Sequence, residues 1–285
     1  MTAGRGFLST HKNLLVGLLF AIGLTSTAGA ADFGRVAGSF AVAPSGAATY
    51  SIPIWTPPGP NGLAPNISLD YGSQSGNGVM GVGWNLSAVS SIERCGRTIH
   101  QDGASAEVNY SPTSDKFCMG GNRLRLVTPG GIYGAADTVY QTEVADYSRI
   151  TARGQVGAGG SGPQFFIVEG KNGLVYQYGF TGLSTVTAGV APTILRWMLN
   201  KVSDRSGNNY IVQYNNTLGE GFAVPDTISW TPATSGSASY KYQAKFNYIN
   251  NRSDKDSYLG RVTGIAIVNR YLQNFPRLCP PDFLR

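Results

Sequence analysis

Gly46–Leu86 (GAATYSIPIWTPPGPNGLAPNISLDYGSQSGNGVMGVGWNL) contains short apolar segments that are separated by turn-forming residues. Ile67–Tyr71 alternates apolar and polar residues, as a half-buried strand does. Trp55–Gly62 contains too many prolines to donate the hydrogen bonds of a strand ladder, so we interpret it as a loop. The stretch therefore predicts short strands joined by tight turns.

The same pattern continues through the second half of the chain. Two hairpins are predicted there, Gln164–Glu169 with Leu174–Tyr178 and Ile194–Val202 with Asn209–Tyr214. Tyr240–Tyr248 is a further predicted strand. Thr193–Val202 has no decisive periodicity, so one or two turns of helix remain an alternative for it. Gly154–Gly162 is rich in glycine and has few side chains to bury, so it predicts a mobile surface loop.

The composition agrees with a β structure. Charged residues make up only 13% of the chain, while it contains 38 glycines and 15 tyrosines. These features favour an all-β fold, in which many short antiparallel strands form part of an open sheet or shell. The formal charge of +6 is scattered, and no basic run is present that would predict binding to nucleic acid.

The first thirty residues have the pattern of a secretory signal peptide. Arg5 and Lys12 precede the apolar run Leu14–Leu24, and the small residues Ala28-Gly29-Ala30 follow it. A buried helix or a membrane anchor is the alternative, but eleven apolar residues are too few to span a hydrocarbon core of about 30 Å. We expect cleavage after Ala30 and an exported chain that is secreted, periplasmic or bound at the cell surface, with membrane contact only during export.

Three cysteines follow the predicted signal peptide, at positions 95, 118 and 279. In an oxidising compartment Cys95 and Cys118 are natural disulfide partners, because they flank a segment rich in turn formers. Closing that loop would stabilise the fold by about 3.5 kcal/mol in the chain-entropy model. Two free buried thiols are the alternative. The sequence assigns no role to Cys279.

Side chains suited to catalysis or metal binding are sparse. His100 is the only histidine after the predicted signal peptide, and a solvated turn residue explains it more simply than a catalytic one. Asp204–Asn208 is rich in oxygen ligands, but a turn held by Asp and Asn side chains is favoured over a calcium loop. The sequence therefore predicts no catalytic residue, no metal site and no cofactor.

The run Gly46–Leu86 also carries a specific resemblance. Its motifs are Tyr50-Ser51-Ile52-Pro53-Ile54, Pro57-Pro58-Gly59, Asn61-Gly62-Leu63-Ala64-Pro65, Tyr71-Gly72-Ser73-Gln74-Ser75-Gly76-Asn77-Gly78 and Gly81-Val82-Gly83-Trp84-Asn85-Leu86, with Ser91-Ile92-Glu93-Arg94 after them. In this order they resemble the N-terminal domain of the Salmonella plasmid virulence protein B (SpvB) family, shared with toxin-complex B components and Rhs/YD-repeat proteins. Arg94-Cys95 and Asp115–Cys118 resemble a cysteine-bearing subgroup of exported Rhs proteins.

The resemblance implies a structural role. In this family the domain contributes to a large hollow shell that encloses a C-terminal toxic domain, and the remainder of that shell or a cognate toxin component would be its partner. An ADP-ribosyltransferase, as in some relatives, needs an E-x-E pair, which this chain lacks. We therefore expect a non-enzymatic shell module. A secreted module that binds a glycan or a protein surface, through aromatic loops such as Trp55–Pro60, is the alternative.

The C-terminal residues depart from the family style. From about Val268 the sequence loses its β and Gly/Asn character, so residues 268–285 are interpreted as an atypical tail that a frameshift could have produced. The expected division is a signal peptide at residues 1–30, an SpvB-like β domain at 31–267 and this tail.

Overall fold

A computed structural model describes most of the chain between residues 38 and 274. It leaves out residues 79, 112–113, 158–160, 188–192, 216–222, 235–236, 250–255, 261–263 and 269–270 within that range. The predicted signal peptide and Cys279 lie outside the described residues.

Strands dominate the described residues, which confirms the all-β prediction. In the first half the strands are β1 (Ser39–Val42), β2 (Ala48–Ile54), β3 (Ile67–Gly72), β4 (Asn77–Gly78), β5 (Gly81–Val82), β6 (Trp84–Leu86), β7 (Ser91–Cys95), β8 (Lys116–Met119), β9 (Asn122–Leu126) and β10 (Val139–Thr142). In the second half they are β11 (Arg149–Arg153), β12 (Phe165–Glu169), β13 (Val175–Tyr178), β14 (Thr185–Thr187), β15 (Ile194–Ser203), β16 (Asn209–Asn215), β17 (Val224–Pro232), β18 (Tyr240–Lys245), β19 (Asn247–Ile249), β20 (Asp256–Gly260), β21 (Gly264–Val268) and β22 (Tyr271–Asn274).

Helical structure is limited to single turns in the part of the chain that is described. These are the α-helical turn α1 (Ile99–Asp102) and two 3₁₀ turns, Pro60–Gly62 and Gly182–Ser184. None of the described helices is long and apolar enough to cross a membrane.

The first sheet is small and antiparallel, with the strand order β1-β2-β3-β6. Its buried side carries Ile67 and Leu69 from β3 and Leu86 from β6. The turn between β1 and β2 closes with a hydrogen bond from Ala43 N to Ala47 O, and Gly46 supplies the positive φ of 82° that this turn needs. The strand predicted at Ile67–Tyr71 is confirmed within a residue at each end.

The second sheet closes on itself. Its path runs β13-β12-β11-β10-β9-β8-β7-β15, and β13 also pairs with β15, so these eight strands form a ring that we call the barrel. Strands β16, β17 and β18 extend from β15 beyond the ring. The prediction of an open sheet is therefore wrong in part. Val175–Tyr178 of β13 pairs with Leu199–Ser203 of β15, so β13 has a partner on both sides and is not an edge strand.

Side chains fill the interior of the barrel. Each of its eight strands contributes at least one buried residue to a single cluster, made of Ile92, Phe117, Leu124, Tyr140, Ile150, Ala152, Phe166, Val168, Tyr178, Ile194, Trp197, Leu199 and Val202. Burial raises the pKa of Tyr178 to about 12, and its hydroxyl lies 3.0 Å from the Ser90 hydroxyl. The barrel is thus a packed core and not a channel.

A second core lies between the first sheet and strands β14 to β18. Its buried members are Ile67, Leu69, Leu86, Ala88, Val186, Met198, Val212, Tyr214, Ala223, Ile228, Trp230, Ala244 and Phe246. Strand β15 serves both cores, because Trp197 and Leu199 belong to the barrel cluster while Met198, between them, belongs to the second one. The fold is therefore a sandwich and a filled barrel that share one strand.

Both predicted hairpins are confirmed. Strands β12 and β13 pair around Lys171–Gly173, and β15 and β16 pair around Asp204–Gly207. Thr193–Val202, for which helix was an alternative, is a strand from Ile194 onward. Tyr271–Asn274, within the predicted tail, forms β22 and pairs with β19.

Candidate functional site: the plugged barrel end and the cystine loop

The loop after β7 begins and ends at the two cysteines that were predicted to pair. The structure joins Cys95 and Cys118 by a disulfide at neighbouring positions of β7 and β8. We call the segment between them the cystine loop. Arg94 and Phe117, the residues next to the cysteines, are buried in the barrel, so alternation along the strands places the disulfide on its outer side.

A buried ion pair fixes the helical turn of the cystine loop to the outside of the barrel. Arg123 on β9 donates from Nη1 to Asp102 Oδ2 at 2.8 Å and from Nη2 to Gly96 O at 2.8 Å. Burial alone would raise the pKa of Asp102, but hydrogen bonds from Arg123 and from the Thr98 backbone, with the Arg123 charge, lower it below its ordinary value. The carboxylate is therefore ionised and paired at neutral pH.

A second ion pair closes the end of the barrel where β7 ends and β8 begins. The Arg94 and Asp115 side chains are 0% and 1% exposed, with Nη1 and Oδ2 3.2 Å apart. Arg94 also donates from Nε to Ile194 O at 2.7 Å and from Nη2 to Ser161 O. We call these four residues the end plug. Burial lowers the pKa of Arg94 and the Asp115 charge opposes that shift, so the guanidinium keeps its charge.

Aromatic rings hold the Arg94 guanidinium from inside the barrel. Its central carbon lies 5.8 Å from the ring centroids of Phe117 and of Trp197, within the range of cation–π attraction. The Trp197 indole N–H donates to Pro163 O at 3.2 Å. Ser161 and Pro163 thus bind the barrel, and the C-terminal end of the loop that was predicted to be mobile, Gly154–Gly162, is anchored there.

The motifs that carried the resemblance are engaged in packing. The Trp230 indole N–H donates to Pro57 O at 2.9 Å and holds the proline-rich loop against β17. Gly83 has a φ of 82°, and a Cβ there would lie 2.6 Å from the Tyr71 ring, so a side chain is excluded. The Asp70 carboxylate accepts hydrogen bonds from Ser51 and Ser68. Pro57 and Gly83 of these motifs, and Asp70 beside them, therefore each have a structural explanation.

Thr231 is a strained residue beside this loop. Its φ is 59°, in the left-handed region that β-branched residues avoid, and it lies between the ladder residues Trp230 and Pro232. Its buried hydroxyl has no hydrogen-bond partner among the described residues.

We expect the Thr231→Gly variant to be more stable than the wild-type protein by about 1 kcal/mol, because glycine adopts this φ without strain and leaves no buried hydroxyl unpaired. Urea unfolding measures the difference. Thr185→Gly is the matched control, because Thr185 has an ordinary strand φ of −121° and should lose stability. A destabilised Thr231→Gly protein would contradict the assignment of strain.

The disulfide gives a second prediction. We expect the exported chain to carry a Cys95–Cys118 disulfide. The double variant Cys95→Ala/Cys118→Ala should have a free energy of unfolding about 3.5 kcal/mol lower, because the unfolded chain is then free of the loop that the disulfide closes. Non-reducing peptide mass spectrometry tests the bond, and urea unfolding tests its contribution. Free thiols at both positions in exported protein would contradict it.

The described residues hold no cluster that resembles a catalytic or metal centre. His100 is exposed on α1. Asp204 accepts backbone N–H bonds from Ser206 and Asn208 at 2.9 Å each, the geometry of a turn held by an aspartate. No group of three or more His, Cys, Asp or Glu side chains that could hold a metal ion occurs among these residues.

Comparison with known proteins points to one family. The family model described as "Salmonella virulence plasmid 65kDa B protein" matches residues 42–122, which confirms the resemblance read from the motifs. This match covers β2 to β8 and reaches the first residue of β9. No curated protein sequence matches the chain at a significant level.

Solved structures share the fold. The N-terminal domain of effector protein SpvB from Salmonella typhimurium strain LT2 matches with a TM-score of 0.58 and 20% identity, over 78% of this chain and 86% of that domain. The TcdB2-TccC3 crystal structure matches with a TM-score of 0.56 and 20% sequence identity over 83% of this chain. The Photorhabdus luminescens Tc holotoxin pore matches with a TM-score of 0.60 and 20% sequence identity over 84% of this chain. The match spans only 12% of the TcdB2-TccC3 chain and 13% of the holotoxin chain.

Proposed function

We propose that this chain, which has the fold of the SpvB N-terminal domain, is a non-catalytic structural module of an exported Rhs/SpvB-type bacterial toxin. The observation that carries the proposal is the use of the motif residues. Among the motif residues, Pro57 O accepts the hydrogen bond that holds the proline-rich loop against β17, and Gly83 permits the close approach of the Tyr71 ring. Asp70, which precedes the Tyr71–Gly78 motif, accepts hydrogen bonds from Ser51 and Ser68. Residues that serve packing are what a wall element requires.

The filled barrel supports the same function. An enzyme or a small-molecule carrier needs a concave site with converging polar groups, whereas this interior is occupied by aromatic and aliphatic side chains. In the end plug, Arg94 pairs with Asp115 and donates its other N–H groups to backbone carbonyls. Both charged groups are therefore engaged within the fold and unavailable to a substrate. The module would therefore act through its rigidity and its outer surface.

The organisation of the chain is part of the proposal. Residues 1–30 would direct export, residues 31–267 would form the module and residues 268–285 would follow as a tail, of which Tyr271–Asn274 pairs with β19 of the module. The disulfide suits this route, because disulfides persist in oxidising compartments outside the cytoplasm. The partner would be the remainder of a toxin shell or a cognate toxin component, as TccC3 is for TcdB2 in the similar structures.

A chimera tests the structural function. Residues 31–274 of this chain, the module together with the strand β22 that pairs with β19, would replace the matching part of TcdB2 in TcdB2-TccC3. Electron microscopy with limited proteolysis would show whether the complex assembles and protects its interior. We expect assembly close to that of the parent complex. A chimera in which the module is folded but the complex does not assemble would overturn the proposal, as would substrate turnover by the isolated chain.

A surface-binding module is the second candidate, and one observation favours it. The Trp55 side chain is 70% exposed, while the loop behind it is fixed by Thr56 Oγ1, which donates to Pro65 O at 3.0 Å. A rigidly held, exposed indole is a common platform for sugars and peptides. Glycan or cell-surface binding by the purified chain, lost in the Trp55→Ala variant, would favour this candidate over the shell module.

A further inference from the structure

We propose that two copies of this chain associate weakly through antiparallel pairing of β1 with β1 of the second copy. The first observation is that the edge strand β1 carries apolar side chains on the side of the sheet that faces the core. In the ladder, Phe40 faces Tyr50 and Val42 faces Ala48, and Tyr50 shares a side of β2 with Ile52, which faces buried Leu69. Phe40 and Val42 nevertheless remain 68% and 64% exposed.

The free hydrogen-bonding groups of β1 belong to the same two residues. Ala43 N donates to Ala47 O, so residues 43 and 47 form a hydrogen-bonded pair with β2. Antiparallel ladders alternate, so Ala41 also bonds to β2, whereas the N–H and C=O groups of Phe40 and Val42 point to the outer edge. No other described strand pairs along that edge.

This edge lacks the features that prevent pairing. Strand β1 reads Ser-Phe-Ala-Val and contains neither a charge nor a proline. Strand β18, the last strand of the larger sheet in the described part of the chain, carries Lys241 and Lys245. The contrast indicates that β1 is open to a further strand and β18 is not.

The sequence of β1 is complementary to itself in one register. With a two-fold axis through Ala41, Phe40 of each copy lies opposite Val42 of the other, and both pairs fall on the apolar side. The same register brings the outward amides of residues 40 and 42 together as reciprocal hydrogen-bonded pairs. A shift by one residue would place Phe40 and Val42 on opposite sides, so the pattern selects a second copy.

The association should be weak. Four residues a side bury far less than the roughly 1,200 Å² of a stable interface, so we expect a dissociation constant on the order of 100 µM. Sedimentation velocity of the full chain, at concentrations on both sides of that value, should show a monomer that converts to a dimer. A monomer at every concentration would overturn the proposal, even if β1 binds a strand of another protein.

Two variants locate the contact at β1. Phe40→Lys places a charge on the edge, and Val42→Pro removes an outward N–H while leaving the bonds to β2 intact. Each should weaken dimerisation at least ~10-fold without altering thermal unfolding of the monomer. Phe180→Lys is the matched control, because Phe180 is 56% exposed and lies far along the chain from β1. Dimerisation that persists in both edge variants would overturn the proposal.

Disulfide trapping tests the register. In a Cys279→Ser background, Ala41→Cys would bring two cysteines to a non-hydrogen-bonded pair, with Cα atoms about 4.5 Å apart, within the range for a disulfide. Ser39→Cys is the control, because residue 39 would lie opposite residue 43 of the second copy. Oxidation should give a covalent dimer with Ala41→Cys and little with Ser39→Cys. Equal trapping of both variants would contradict the register.

Discussion

Replacing Arg94 with methionine should lower the free energy of unfolding by about 3–5 kcal/mol, because Asp115 then stays buried without its partner. The acceptors of the end plug lose their donors in the same step. Ile194 O and Ser161 O each accept a hydrogen bond from the Arg94 guanidinium, and the methionine thioether has no donor that could replace either bond. Chemical denaturation with urea measures the loss.

Two controls separate the buried charge from ordinary packing. The double variant Arg94→Met/Asp115→Leu removes both charges and should recover part of the lost stability. Arg149→Ala breaks the ion pair of Arg149 with Glu169, in which the two side chains are 64% and 51% exposed, respectively. This change should alter the free energy of unfolding by less than about 1 kcal/mol. Equal small effects at Arg94 and Arg149 would show that the end plug is not buried as described.

Replacing Trp197 with alanine should cost about 3–5 kcal/mol, since it leaves a cavity at the centre of the barrel. Trp197 is fully buried and packs edge-to-face against Phe117 and Phe166, with ring centroids 5.4 and 5.0 Å away. Gly179 lies directly against the indole, where a Cβ would clash with Trp197. The neighbouring Phe117 and Phe166 are aromatic residues held in strands β8 and β12, so we expect them to move little into the cavity.

The size of the Trp197 effect can be compared with two other variants. Trp197→Phe keeps a ring but removes the N–H bond to Pro163 O, and should cost about 1–2 kcal/mol. Trp55→Ala removes an indole that is 70% exposed and should stay within about 0.5 kcal/mol of wild type. Similar losses in the Trp197→Ala and Trp55→Ala proteins would contradict a filled barrel.

The end plug and the barrel core should act together. The Arg94 guanidinium lies 5.8 Å from the Trp197 ring centroid, so the losses from Arg94→Met and Trp197→Ala should not add. A double-mutant cycle of the two changes therefore reports the coupling directly.

Local signals in the sequence predicted the strands and the hairpins well. Turn formers such as Asn172-Gly173 and the segment after Ser203 act through their own backbone preferences, which need no knowledge of distant residues. Strand β15 was ambiguous for a physical reason. Trp197 faces the barrel and Met198 faces the sandwich, so both sides are buried and the apolar–polar alternation of a half-exposed strand is absent.

Features that depend on distant contacts could not be predicted. The ring closes through pairing of β13 with β15, and nothing within either segment indicates this partner. Arg94 was noted only as part of a motif, because a charged residue is normally expected at the surface, and its buried role depends on Asp115 and Ser161 far along the chain. The family resemblance was specific because it rests on the order of local turn motifs between Tyr50 and Arg94.

Closure of the barrel is the central physical claim, because a closed barrel filled with side chains is suited to a rigid wall element. Hydrogen–deuterium exchange with mass spectrometry tests it at β13, where Val175–Tyr178 pairs with β12 on one side and β15 on the other. We expect the amides of β13 to exchange as slowly as those of β15 and more slowly than those of the edge strand β18. Exchange of β13 as fast as that of β18 would show an open sheet and contradict the account.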